Sequence, residues 1–264
     1  PDSGLNERLN ILLLGSDSRS GDKYGHADTM ILLTVDPISK TAGMLSIPRD
    51  LWVTIPGYGE NRINQAFFFG KQNGYPGGGP ALAMKTIQDH LGIPVHFYIL
   101  VDFEGFQEIV DILGGIDIDV PTTINDPTYP DNDGGYDPFF IEAGTHTLDG
   151  HEALRYARTR NTFGGDFARA RRQQQILLAI RDKALKLNMI SKIPELWDSL
   201  AQTIDTNMQL SDVLTLAKFV DNIGPDRIQA VVIDSDLTTA HVIPDTGASV
   251  LLPLREKIQT VVTE

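Results

Sequence analysis

Three short apolar runs near the start of the chain limit the folds open to it. Asn10 to Leu14 ends in Gly15-Ser16-Asp17, Thr29 to Val35 ends in Asp36-Pro37, and Gly43 to Ile47 ends in Pro48-Arg49-Asp50. Runs this short, bounded by turn residues, read as strands. Because they are apolar on both faces, they belong in the middle of a sheet covered by helices. The link from Asp36 to Ala42 is too short for a crossover helix, so the second and third strands form a hairpin and the sheet is mixed.

Helical spacing follows in Ala81 to Leu91, stopped by Gly92, and in Phe103 to Leu113, with strands at His96 to Val101 and Ile116 to Val120. Gly77-Gly78-Gly79 reads as a flexible turn, and Asn125 to Asp137, rich in Asp, Pro and Gly, as an exposed loop. Asp149 and Glu152 have capping-box spacing ahead of a short helix through Arg158, and Asp166 is placed to cap a long helix to about Leu187. Beyond Ser191 come two helical stretches, a strand at Arg227 to Ile233 and a last helix near Leu254 to Val262. The pattern predicts an α/β fold, a three-layer α/β/α arrangement around a mixed central sheet. With 264 residues and 41% hydrophobic content, the chain is read as one domain over 1–264.

A formal charge of -13 argues against nucleic acid as a partner. The absence of cysteine removes disulfides, thiolate metal sites and Cys nucleophiles. The six histidines, at 26, 90, 96, 146, 151 and 241, show no metal-ligand spacing. No G-x-S-x-G elbow, Walker loop or dinucleotide fingerprint appears. No apolar run approaches the roughly 20 residues of a membrane helix.

Six of the thirteen arginines, Arg155, Arg158, Arg160, Arg169, Arg171 and Arg172, fall in one short segment of this acidic chain. Guanidinium is suited to bidentate recognition of phosphate oxygens because its planar fork stays charged. On the long helix, Arg169 and Gln173 continue into Ile176, Leu177, Ile180 and Ala184, a stripe that begins polar and turns apolar. Burying that stripe brings Arg169 and Gln173 to the mouth of the core. The helix N-terminus also favours an anion there. Arg155 and Arg171 read as solvated. At the sheet, Asp17 follows the first strand and Asp28 precedes the second, while Arg19 and Arg49-Asp50 sit at or just beyond strand ends. Two carboxylates flanked by arginines at such an edge suit a hard, oxygen-loving cation resting on phosphates, as Mg2+ does.

Several motifs now stand in a specific order. They are Leu14-Gly15-Ser16-Asp17-Ser18-Arg19, Ala27-Asp28-Thr29-Met30, Ser46-Ile47-Pro48-Arg49-Asp50, Arg62-Ile63-Asn64-Gln65-Ala66 and Leu113-Gly114-Gly115. Leu148-Asp149-Gly150, Ala153 to Arg160, and Asp166 through Arg169 to Arg172-Gln173 follow. From Asn10 to Lys186 the chain resembles the LytR-CpsA-Psr family. Arg62 stands where that family has Lys, Ala168 where it has Gly, and Arg171 where it has a neutral residue.

The resemblance implies an extracytoplasmic protein anchored by an N-terminal membrane helix lying ahead of the residues given. It implies transfer of a glycopolymer from a polyprenyl-pyrophosphate carrier to a peptidoglycan hydroxyl. Asp17 and Asp28 match the acidic positions associated with Mg2+. Arg49, Arg158, Arg160, Arg169 and Gln173 match the pyrophosphate site, with Arg19, Arg62 and Arg172 as further substrate ligands. The lipid tail is expected in an apolar tunnel lined by residues such as Phe97, Ile99, Val101, Phe106 and Ile109. Residues 191–264 carry no motif of the family. The expected chemistry is in-line phosphoryl transfer, with arginines and Mg2+ stabilising charge on the phosphate oxygens. The sequence offers no evident base for the acceptor hydroxyl. The same residues also suit two alternatives, a pyrophosphate hydrolase of lipid-linked substrates and a non-catalytic module that binds polyprenyl phosphates.

Overall fold

A computed structural model of the protein describes residues 7–17, 25–131, 134–197 and 204–263. The chain divides into two compact units, Pro1–Asp102 with Leu200–Glu264, and Phe103–Ser199. Each has its own core.

The first unit opens with β1 (Leu9–Ser16), β2 (Ala27–Asp36) and β3 (Thr41–Ser46). β2 lies antiparallel between β1 and β3, and its pairing with β3 is the one the short Asp36 to Ala42 link requires. The parallel partner of β1 is β6 (Phe97–Val101), so the sheet is mixed, as expected. Register pairs Leu14 with Met30, and Leu12 with Leu32, which also faces Leu45. That puts five large apolar side chains on one face, all buried in a core completed by α1 (Gln65–Gln72) and α2 (Gly78–Leu91). Between β3 and α1 lies a hairpin absent from the sequence reading, β4 (Trp52–Ile55) with β5 (Gly59–Arg62).

The glycine run before α2 is not a flexible turn. Gly77 takes the left-handed N-cap position, at φ 81°, and Gly78-Gly79-Pro80 form the first helical turn. A Cβ on Gly79 would stand 2.6 Å from the Phe67 carbonyl oxygen, so the bare backbone is what lets α2 close on α1.

In the second unit the chain runs α3 (Phe103–Ile112), β7 (Ile116–Val120), β8 (Ile124–Asp126), β9 (Phe139–Ile141), β10 (Gly144–Leu148), α4 (Gly150–Arg158) and α5 (Gly165–Lys186). β7 pairs with β10 and shows strict alternation, Ile116, Ile118 and Val120 inward, Asp117 and Asp119 outward. The inward row packs with Val110, Tyr156 and Ile176. Asp149 caps α4 in a full capping box with Glu152, as the spacing predicts. The next residue, Gly150, lies against α3. Its N–H donates to Asp111 Oδ1 at 2.8 Å, and a Cβ there would be 2.4 Å from the Gln107 carbonyl oxygen. The segment 125–137 is bounded by the β8–β9 ladder and closed by a Pro130–Tyr136 bridge. At α5 the cap is Gly164, at φ 92°, and Asp166 lies inside the first turn instead of capping it.

The chain then returns to the first unit. β11 (Ile204–Thr206) pairs antiparallel with β6, and β12 (Ile228–Val232) parallel with β3. The stretch beyond 191, which carries no motif, therefore supplies both edges of the six-stranded sheet, in the order β11-β6-β1-β2-β3-β12. A hairpin follows, β13 (Thr238–Val242) with β14 (Ser249–Pro253). The helix Arg255–Thr263 docks on α2 through buried Ile258 and a bond from Gln259 Nε2 to Leu91 O at 2.7 Å.

Two stability predictions follow from these elements. Asp149→Ala removes the cap of α4 and lowers stability by about 1 kcal/mol in urea titrations. Gly150→Ala costs more, about 1–3 kcal/mol, because backbone must move to admit the methyl. His90, in the last turn of α2, is held down to about 4, first by burial and then by Arg255. Its ring is neutral in the fold and takes up a proton on unfolding anywhere between pH 6.5 and about 4. Stability is therefore full above that window and is lost as pH falls through it. Unfolding midpoints of His90→Gln vary less than wild type between pH 7 and 4.5.

Candidate functional site

In the first unit the charged groups gather where β1 ends and β2 begins. Gly15 pairs with Thr29 and Ser16 with Ala27, so the ladder slips and its register passes over Asp28. Such a bulge re-aims the extra residue. Gly15 permits the slip, since a Cβ there would be 2.9 Å from the Thr29 Cβ. Asp17 and Asp28 thus stand at one edge of the sheet. Asp17 Oδ1 accepts from His26 N at 2.8 Å, and Asp17 N donates to His26 O at 3.2 Å. Arg49 Nη1 donates to Asp28 Oδ2 at 2.8 Å, with the side chains 26% and 28% exposed.

A second carboxylate extends this contact. Asp50 Oδ2 lies 3.6 Å from Arg49 Nε, and its Oδ1 3.2 Å from Arg62 Nε. Arg62 Nη2 also donates to Ser249 O at 2.8 Å, and Leu251 N donates to Asp50 O at 3.0 Å. Strand β14 therefore fixes both residues, a role for the C-terminal stretch that no motif signals. Asp50 stands beside Arg49 in sequence, and that adjacency was the available sign of its part here. Arg19 lies outside the described residues.

In the second unit the arginines come from the end of α4, the following loop and the start of α5. Arg158 lies over the Phe103 ring at 4.3 Å and donates from Nη1 to the Tyr129 hydroxyl at 3.2 Å. Burial pushes the Tyr129 phenol up in spite of the two guanidiniums beside it, so it keeps its proton. Thr159 is buried and donates to Asp126 Oδ2 at 2.6 Å. Arg160 is exposed, with its Nε 3.2 Å from Asp166 Oδ1, and Arg169 is buried, with Nη2 3.7 Å from Asp166 Oδ2. Gln173 donates to the Ala157 carbonyl at 3.3 Å.

Two of the six clustered arginines have places that the sequence reading did not give them. Arg155, expected to be solvated, donates to the carbonyls of Asp137 and Pro138 at 2.9 and 2.6 Å and lies between the Tyr129 and Phe139 rings. It pins the 125–138 segment. Arg172, expected among the substrate ligands, is 7% exposed and donates to Tyr156 O, Thr159 O and Thr162 Oγ1. Burial pushes its pKa down. It brackets the end of α4, which carries Arg158, and the loop that carries Arg160. Arg171 is exposed, as expected.

Among the described residues no group of three or more His, Cys, Asp or Glu is placed to hold a metal ion. Two carboxylates at one edge still suit a cation that takes its remaining oxygens from phosphate and water. The face of the sheet opposite the main core is apolar as well, with Ile11, Ile31 and Val35 buried on it. Leu13, Leu33, Phe97, Ile99 and Val101 share the face opposite the main core, and all are half-buried. The apolar helix Leu210–Asp221 of the same unit contains no buried residue. In the second unit, Phe106 and Ile109 of α3 are half-buried too.

The sequence matches the LytR_cpsA_psr family over residues 3–264. It is 39% identical over 211 residues to the polyisoprenyl-teichoic acid–peptidoglycan teichoic acid transferase TagU of Oceanobacillus iheyensis, covering 80% of this chain and 62% of that protein. The chain thus spans about three-fifths of the length of that curated relative. Among solved structures, B. subtilis TagV aligns with a TM-score of 0.79 at 28% identity, over 98% of this chain and 96% of that one. The family protein YwtF (TagT) with bound octaprenyl pyrophosphate lipid aligns at 0.71 and 29% identity, over 99% and 90%.

The geometry separates a buried bracket, Arg172, from an exposed ion pair at Arg160. Arg172→Lys keeps the charge but cannot reach three acceptors at once, and it lowers stability by about 2–3 kcal/mol in urea unfolding. Arg160→Lys, at an exposed ion pair, shifts it by less than about 0.5 kcal/mol.

Proposed function

The chain belongs to the LytR-CpsA-Psr family, and from that premise we propose that it transfers a glycopolymer from a polyprenyl-pyrophosphate carrier to a peptidoglycan hydroxyl. The observation that carries this reading is the β1–β2 edge, where a slipped ladder turns Asp28 onto Arg49 beside Asp17. Acid and guanidinium held together at a strand edge are what a metal-assisted phosphate site needs. TagT, a relative by structure, is known with octaprenyl pyrophosphate bound. The half-buried apolar face of the sheet is the surface on which a prenyl chain would lie in the first unit.

Arg49 of the first unit, and Arg158, Arg160 and Arg169 of the second, are each suited to donate to phosphate oxygens, with Arg19 and Arg62 as further cations. Their forks hold charge that grows on those oxygens as the bond to the departing phosphate lengthens. Gln173 and Arg172 hold α4 and its loop in place for Arg158 and Arg160. Asp17 and Asp28 would hold Mg2+, which supplies charge neutralisation at the phosphates when bound. The acceptor oxygen forms the new P–O bond, and polyprenyl phosphate leaves with the electrons of the old one. As a weak base, that phosphate can take the hydroxyl proton.

No helix among the described residues is long and apolar enough to cross a membrane. The domain works on the outer face of the membrane, where carrier and acceptor meet, and a membrane helix elsewhere in the protein holds it there.

Arg49→Ala, Arg158→Ala and Arg160→Ala each lower kcat/KM for a lipid-pyrophosphate donor about 10²–10³-fold, with circular dichroism unchanged. Chelation abolishes turnover and added Mg2+ restores it. Full turnover in all three variants sinks the assignment. Release of free polymer at the same rate without peptidoglycan fragments would identify a hydrolase instead.

A further inference from the structure

Each unit repeats one arrangement of charges. In the first, the two oxygens of Asp50 go to different arginines, Oδ1 to Arg62 at 3.2 Å and Oδ2 to Arg49 at 3.6 Å. In the second, Asp166 does the same, Oδ1 to Arg160 at 3.2 Å and Oδ2 to Arg169 at 3.7 Å. All four separations exceed the roughly 2.7–2.9 Å of a charge-assisted hydrogen bond. Arg49 shows the contrast, since its contact with Asp28 is 2.8 Å. A phosphate group offers two guanidiniums a similar pair of oxygens with more negative charge than a carboxylate carries.

Both aspartates have fixed backbones and short side chains. The Asp50 carbonyl is tied to Leu251 N, and Asp166 lies in the first turn of α5, where the helix end favours an anion. Their side chains are 27% and 36% exposed, so solvent and substrate reach them. Without a bridging anion, paired guanidiniums repel each other and drift apart.

We propose that Asp50 and Asp166 are positioning residues that stand in for phosphate in the substrate-free protein, keeping two guanidinium forks at anion-binding spacing and giving way to the pyrophosphate of the donor. The inference rests on the function proposed above. It makes each aspartate a competitor of the substrate and also the device that keeps the forks ready for it.

Inorganic pyrophosphate with Mg2+, titrated calorimetrically at fixed salt, separates the two ideas. Asp50→Asn and Asp166→Asn each bind it about fivefold more tightly than wild type, the range an exposed ion pair can supply. Asp50→Glu keeps the charge and stays near wild type. In the transfer assay the Asn variants lower KM for the lipid-linked donor and lower kcat with it, the pattern of a relieved ground state, while their thermal midpoints stay near wild type. Wild type that binds pyrophosphate, with both Asn variants binding equally or more weakly, overturns this inference alone. Wild type that binds none overturns the functional reading as well.

Discussion

The ladder between β1 and β2 governs where the first unit can present charge. Seven residue pairs run in step from Leu9–Val35 to Gly15–Thr29, and then the strands slip by one. Before the slip the side chains are mostly apolar and committed to one face or the other, with Asn10 and Thr34 bonded to each other across the ladder. After it, Asp28 falls outside the alternation and meets Arg49 at the rim. The stiffness of the buried strands lends the rim its precision, because a side chain on a bulge between well-paired strands has little freedom to wander.

The second unit reaches a similar end by different means. Its arginines stand on two helix ends and the loop between them, where backbone alone gives little rigidity. Rigidity comes from polar contacts, with Arg172 gripping one acceptor on α4 and two on the loop, Thr159 tied to the buried carboxylate of Asp126, and Arg155 clamping the neighbouring segment. Because Arg172, Thr159 and Asp126 are out of water, losing a partner there is costly, and the network holds as a whole.

What the sequence disclosed depended on how local the signal was. β7, α3 and the capping box of α4 follow from period and spacing within a dozen residues, and the structure has them where the sequence put them. The edge strands β11 and β12 are short, and their pairing depends on partners more than a hundred residues away, so only β12 was anticipated. At the site, the phase of α5 was enough to bury Arg169 and expose Arg171. It did not distinguish Arg172, whose acceptors lie on α4 and the loop after it, outside the pattern of its own helix. Gly77-Gly78-Gly79 misled for a related reason, since the close approach to Phe67 that makes those glycines necessary is a tertiary fact.

The first unit is written in two pieces, with the second unit a continuous stretch between them. During synthesis, residues 103–199 can complete their own core from local contacts while the larger sheet still lacks both borders. Until Ile228 to Val232 emerge, β3 keeps an open row of backbone donors and acceptors, a ready template for a second nascent chain. The late-arriving strands thus act as a chaperone of sorts for the strands made first, sealing the vulnerable edge once they emerge.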